Sequence, residues 1–505
     1  MSFSGAIVAS WLVRAVGSIA PGMALRILAN QSRLKSYMAA SRRGPNASWR
    51  PSQQTADSIL ASDRNLIIAR ARALVRDSSH VAGAVNKIIN NVAFTGIHPQ
   101  AQFRQANGIL NDRKSDQIEE AWEAWAEAVD YYGLQRLVLR HFLVDGEILV
   151  IKSLDKSLIQ SGLCPLHLRA LEVDHLDVSH DRIRSNDKNE IRGGIEFDEQ
   201  KRPVAYHIFE NHPGDSLLHG WKSQRIPADR VIHIYERERA SQTRGVSRLA
   251  PVIMEMRDFA EYQSSERIAA RLAAAFGIFV ESPYPEHGLV NPIMDDASQE
   301  AADAIPKYLE SGRIDILPPG MKISVAENKR PGSNYDAFSR SSLRGVSAGT
   351  GLSYETFSND YSTATYSSAR AATLEERRGY RVMQSILNAK LNGPIWREWC
   401  HELDQYNLMS LPKPPKVLWQ NPGWPWVDPA KDAKAAEVEL SLGITTRRKL
   451  AAERGMDWDE VIEEQAAEEA KMKALGLELP GKQGEQSDEA TDADEGDNAS
   501  PSVDQ

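Results

Sequence analysis

An α+β fold follows from three features of the sequence. Apolar residues recur at helical spacing from Ala61 to Val144, switch to a spacing of two between Glu147 and Tyr235, and return to long helical runs from Pro251 onward. In the first region Val81, Val85, Ile88, Ile89 and Val92 share one helical face, with Asp77-Ser78-Ser79 separating two helices and Gly96 ending the pair. A further helix over 115–129 aligns Ile118, Ala121, Trp122, Trp125 and Val129, a stripe expected in the core, and another runs from Gln135 to Val144, stopped at Gly146. The runs 147–152, 166–170, 191–197, 204–208 and 231–235 read as short strands of one antiparallel sheet packed on these helices. The third and fourth are joined as a hairpin across 198–201.

The helix predicted over 251–276 carries Glu255, Arg257, Asp258, Glu261, Glu266, Arg267 and Arg271, which leave no wide apolar face. Such a helix packs against copies of itself or lines something wet. A small insert follows, with a strand at 278–280, a helix over 298–309 and strands at 314–317 and 322–325. A helix then returns over 334–349. After the polar stretch 353–365, a long helix is expected from Ser367 to about Leu403. The Pro-punctuated run 421–429 leads to helices over 430–442, 446–453 and 457–474.

The chain has 505 residues, enough for about three structural units at ~100–200 residues each. Its 42% hydrophobic and 26% charged residues exclude collagen-like, wholly disordered and disulfide-framework classes. The two cysteines, Cys164 and Cys400, are far apart and lack a CxxC or CxxH companion, so neither a zinc site nor a disulfide scaffold is indicated. The net charge of -9 is unevenly spread, with +9 over residues 1–100 and -7 over residues 482–505. A basic arm, an acidic body and an acidic, disordered tail are therefore expected. The apolar stretch 5–28 is interrupted by Arg14 and Pro21-Gly22, and reads as an N-terminal arm or a partner-bound amphipathic helix rather than a membrane span.

Phosphate-loop, dinucleotide-fingerprint, HExxH and GxSxG patterns are all missing. The crowd of Asp174, His175, Asp177, His180 and Asp181 offers metal-ligand chemistry but also suits a solvated turn, and Ser153-x-x-Lys156 matches SxxK without a partner motif.

The block GLSYETFSNDYSTATYSSARAATLEERR at 351–378 is the most distinctive in the chain. It resembles the signature of the lambda-type family of tailed-bacteriophage portal proteins. Other pieces fit in the same order: ARALVRDS from Ala71, AWEAW at 121–125, DGEILV at 145–150, LEVDHLD at 171–177, GGIEFDEQKRPVAYHI at 193–208, IPADRVIHIYE at 226–236 and QTRGVSRLAPVI at 242–253. The resemblance covers about Trp49 to Glu464.

That resemblance implies a portal fold and a ring of about twelve identical subunits, a dodecamer with a channel for double-stranded DNA at one capsid vertex. The regions would be a basic arm (1–50), an α+β wing (51–245), a first stem helix (246–276), a clip (277–330), a second stem helix (331–350), a channel loop (351–366), a long helix and wing return (367–429), a helical crown (430–480) and the tail (481–505). Phe357, Ser358, Asn359, Asp360, Tyr361, Ser362, Thr363, Ala364, Thr365 and Tyr366 would face DNA without sequence preference. Their single charge suits a channel in which phosphate contacts would add drag. Arg370 would brace this loop or a neighbouring subunit, and Arg257, Glu261, Arg267 and Arg271 would make ring contacts along the stem.

The implied partners are further copies of the chain, the terminase large subunit, head–tail joining proteins, and the major capsid and scaffold proteins. No cofactor, resident metal, membrane or enzymatic activity is expected. The resemblance places the protein in the virion after assembly in the host bacterial cytoplasm; a prophage or gene-transfer particle would use the same chemistry. The basic arm would contact scaffold, shell or DNA, and the acidic tail would deter nonspecific DNA binding. The competing reading is a metal-dependent hydrolase acting on phage DNA or cell wall through His175, Asp177 and His180.

Overall fold

The computed structural model describes residues 48, 51–105, 107–185, 188–215, 222–275, 279–281, 322–324 and 335–476. The chain divides into two compact units, Met1–Ile59 and Leu60–Gln505. In the first, the described residues are 48 and 51–59, of which the last four begin helix α1 (Ala56–Asp77).

Within the second unit, α2 (Ser79–Val92) is capped by Ser78, whose hydroxyl accepts from the Val81 amide, and its stripe Val81, Val85, Ile88, Ile89 and Val92 is buried as its spacing requires. Next come β1 (His98–Gln102), α3 (Asp112–Ala128) and α4 (Tyr131–Val144). Trp122 and Trp125 have no exposed surface, and they meet Trp396 and Trp399 from the far end of the chain with ring centroids 4.9–6.3 Å apart. This four-indole cluster is the centre of the main core.

The expected single sheet is two. A three-stranded antiparallel sheet, β2 (Glu147–Leu154) flanked by β3 (Leu166–Leu171) and β8 (Val231–Tyr235), packs one face on the helices. Its other face meets a meander of β4 (Glu190–Arg192), β5 (Ile195–Phe197), β6 (Pro203–Phe209) and β7 (Ser223–Pro227). The cause is visible in β2, where Ile148 and Val150 belong to the main core while Leu149, between them, belongs to the second. A strand buried on both faces needs a layer on each side. The run 191–197 is likewise a hairpin rather than one strand, because Gly193 and Gly194 take φ of +58° and +80° and turn the chain in two residues. The 198–201 turn forms as expected, with the Asp198 carboxylate accepting from the amides of Gln200 and Arg202, both at 2.8 Å.

Helix α5 (Lys156–Gln160) links β2 to β3, and α6 (Ile253–Ala275) pairs with α7 (Tyr335–Thr350). The pair is antiparallel: Tyr262 packs on Tyr335 and Phe338, while Glu255 lies against Gly345 and Val252 against Gly349. At their far end β9 (Phe279–Glu281) pairs with β10 (Lys322–Ser324). The expected helix over 298–309 and strand over 314–317 lie outside the described residues, as do the N-terminal stretch 5–28 and the acidic tail.

After the short α8 (Tyr354–Ser358), the expected single long helix is interrupted. α9 (Tyr366–Leu387) passes through a π-turn at Asn388–Asn392 into α10 (Gly393–Gln405). Pro394 has no amide to continue the α pattern. The wide turn carries fully buried Asn392, whose side-chain oxygen accepts from the Tyr131 hydroxyl at 2.7 Å and the Gln135 amide at 3.1 Å. β11 (Lys416–Gln420) pairs with β1, followed by α11 (Pro429–Ser441), α12 (Arg447–Glu453) and α13 (Trp458–Ala474). No helix among the described residues is long and apolar enough to cross a membrane.

Candidate functional site

The 351–366 segment joins α7 to α9, and its root is fixed from several directions. The Ser353 hydroxyl caps α8 by accepting from the Thr356 amide at 3.1 Å, and the Ser353 amide donates to Glu376 Oε1 at 2.7 Å. Glu376 is 9% exposed on α9 and also accepts from the Tyr380 hydroxyl at 3.2 Å. From α2, Lys87 donates to the Thr356 carbonyl and to Asn359 Oδ1. Burial holds the Lys87 ammonium below its ordinary pKa, with Glu376 opposing the shift.

Asp360 is spoken for. Its carboxylate accepts from the Ser362 hydroxyl at 2.6 Å, the Ser362 amide at 3.1 Å and the Tyr354 hydroxyl at 2.8 Å, with Arg340 at 3.7 Å. Those bonds, Ser362 first, hold its pKa down to about 2. The Thr365 hydroxyl and Ser368 close a reciprocal cap on α9.

Of the ten expected channel residues, Phe357 packs inward: it is 2% exposed and its ring lies 6.0 Å from that of His80. Ser358 and Ala364 are half-buried. Asn359, Tyr361, Ser362, Thr363, Thr365 and Tyr366 are exposed, with the two tyrosines more than half so. The exposed tip is thus hydroxyl and aromatic in character, without a lysine or arginine. The supports Lys87, Arg340, Ser353 and Glu376 were not singled out in sequence. Ser353 and Glu376 lie inside the distinctive 351–378 block, whereas Lys87 and Arg340 lie outside it.

Arg370 ties α9 to α11 through Asp432 at 2.5 Å, and its pKa is raised, by Tyr366 first and Asp432 next. Its ion pair is thus made to α11 rather than within the loop. On α6, Arg257 donates to Glu261 at 3.1 Å within the helix, and both side chains are exposed, as are Arg267 and Arg271.

His175, Asp177 and His180 do not converge on one point. His175 is buried and its Nδ1 bonds the Phe209 carbonyl at 2.9 Å. Asp177 accepts from Ser179, with His180 at 3.2 Å. Among the described residues the one convergent set is Glu172, Asp174 and His212. Arg72 already lies 3.1 Å from Glu172 and 2.7 Å from Asp174, so those carboxylates have a guanidinium for a counter-ion. Ser153 of the SxxK match lies 3.3 Å from His167 across the β2–β3 pair.

A family model described as phage portal protein, lambda family, matches residues 42–384. The probable portal protein of Halomonas phage phiHAP-1 is 27% identical over 457 residues, covering 86% of each chain. Portal protein B of Escherichia phage lambda is 23% identical over 482 residues, 86% of this chain and 89% of its own length. Among solved structures, a chain from the neck of an empty gene transfer agent particle aligns over 78% of this chain and 99% of its own, at 12% identity and a TM-score of 0.44. The curated relatives are portal proteins, and the family model runs through most of the sequence. The chain belongs to the lambda family of phage portal proteins.

Proposed function

We propose that about twelve copies of this portal protein close into a ring at one capsid vertex, and that the exposed tip of the 351–366 segment in each copy faces double-stranded DNA in the axial channel. A separate terminase motor would drive DNA inward through its large subunit, and the same channel would serve ejection. In this reading 246–276 and 331–350 are the stem, 277–330 the clip that meets the motor and later the head–tail joining proteins, 51–245 with 367–429 the wing, and 430–480 the crown. Capsid and scaffold proteins would meet the outer surface during assembly in the host cytoplasm. Heterologous ring closure uses two different patches per subunit. The exposed charges Arg257, Glu261, Arg267 and Arg271 suit partly polar contacts of that kind.

What supports this assignment of the tip is a root held by several bonds together with a segment that carries no lysine or arginine of its own, the cations beside it, Lys87 and Arg340, being bonded to the Thr356 carbonyl and to Asp336 and Asp360. A sliding polyanion gains salt-dependent affinity, and hence friction, from each fixed lysine or arginine it meets. The test is a photo-crosslinking side chain placed at Thr363 in particles caught during packaging. Crosslinks to DNA at Thr363, with none from a control at Ile444, are expected; DNA crosslinks from the control alone would remove the tip from the channel.

A further inference from the structure

A cavity of about 450 Å³ lies between α9 and the α11–α12 pair, lined by five arginines against three carboxylates. Arg370 is satisfied by Asp432. Three other guanidiniums stand on indole rings, Arg377 and Arg381 over Trp424 at 5.7 and 5.9 Å and Arg454 over Trp426 at 3.6 Å. Among the described residues none of these three has a carboxylate within ion-pair distance, and Arg377 spends one donor on the Pro425 carbonyl at 3.0 Å.

Stacking fixes the plane of a guanidinium and leaves its edge donors open for a carboxylate or phosphate. Two such groups sharing one ring also repel. The Arg377 pKa is lowered, by burial first and by Arg381 second, with Asp432 opposing but not cancelling the shift. An anion in this cavity would relieve that repulsion and use the open donors.

We propose that the occupant is the acidic C-terminal segment of the chain itself, residues 482–505. That segment carries eight Asp and Glu against one lysine. It follows α13, which is joined to α12 by the Arg448–Asp459 ion pair at 2.5 Å, and α12 supplies Leu450 and Glu453 to the cavity wall. The residues after Gly476 span up to ~95 Å when extended, more than enough to reach it. A tethered acidic segment acts at an effective concentration of about a millimolar, so weak individual contacts suffice. The tail would thereby keep a cationic, aromatic pocket from capturing DNA phosphates. This holds whether or not the 351–366 tip faces the channel.

The test uses a fluorescent peptide of residues 482–505 and the full chain with its eight tail acids replaced by their amides. The peptide is expected to bind this neutralised chain at least about tenfold more tightly than the native chain, whose own tail competes. Adding Arg377→Gln and Arg381→Gln should abolish that binding, whereas Arg377→Lys and Arg381→Lys, which keep the charge, should retain most of it. Equal binding to native and neutralised chains, or binding unaffected by the glutamine pair, would overturn the proposal. So would a labelled duplex that the native chain binds through Arg377 and Arg381, which would assign the pocket to a phosphate backbone.

Discussion

Arg244 holds Glu147 in a fully buried ion pair, its Nε 3.0 Å from both carboxylate oxygens, although the two residues lie 97 positions apart. The same carboxylate receives Arg64 from α1 at 3.0 Å, the Gly245 amide at 2.8 Å and His233 from β8 at 2.9 Å. One side chain thus gathers the start of the sheet, helix α1 and the loop that enters α6.

Removing one partner of such a network leaves buried charge uncompensated, at a cost of about 3–5 kcal/mol. Glu147→Ala is therefore expected to lower the unfolding midpoint strongly and to leave little soluble ring. Thermal unfolding followed by circular dichroism, compared with Glu199→Ala on an exposed turn, checks this.

Beside that network two backbones touch. A Cβ on Gly245 would overlap the Gly146 carbonyl, whereas one on Gly83, in α2, would meet nothing within 4 Å. Gly245→Ala should destabilise the protein, while Gly83→Ala should stabilise it by about 0.5–1 kcal/mol through reduced chain entropy. Opposite shifts in melting temperature are the expected pair of results.

Much of this architecture was legible in the sequence because its signals are local. The stripe Val81 to Val92 and the tryptophans of α3 announced their helices, and those expected over 430–442, 446–453 and 457–474 formed with end errors of only a few residues. What escaped depends on distant partners. β1 and β11 pair Pro99 with Trp419 across the length of the chain, and neither run alternates enough to mark itself as a strand. The Gly193-Gly194 turn was present as a pattern but was absorbed into one strand. At the candidate site the motif located the segment, whereas the inward turn of Phe357 and the support from Lys87 come from α2, some 270 residues earlier, and no local pattern encodes them.

Glu119 makes the lower α3 region sensitive to pH. Burial pushes its carboxyl up to about 7, with Asp457, Asp116 and Glu460 adding to the shift and the Ala101 amide opposing it. The folded state binds this proton more tightly than the unfolded chain does, so stability is greatest below the unfolded pKa of about 4 and falls as pH rises through about 7. Glu119→Gln should flatten the unfolding midpoint between pH 4.5 and 7.5, which a melting series across that range (roughly one point per half unit) reads directly.

Glu376 anchors the root of the 351–366 segment through the Ser353 amide. Losing a charge-assisted bond of this kind costs roughly 1.5–3 kcal/mol. Glu376→Ala is expected to leave ring formation intact while exposing 354–366 to limited proteolysis and reducing DNA packaged per particle. Unchanged protease resistance would count against the anchoring role.

A closed ring with an axial hole is read out by native mass together with negative-stain imaging of the same sample. With a chain of 56.1 kDa, a ring of about twelve has a mass of roughly 670 kDa and shows an open centre. A chain that stays monomeric or dimeric at every salt and protein concentration, including in the presence of scaffold and capsid protein, would rule out the ring.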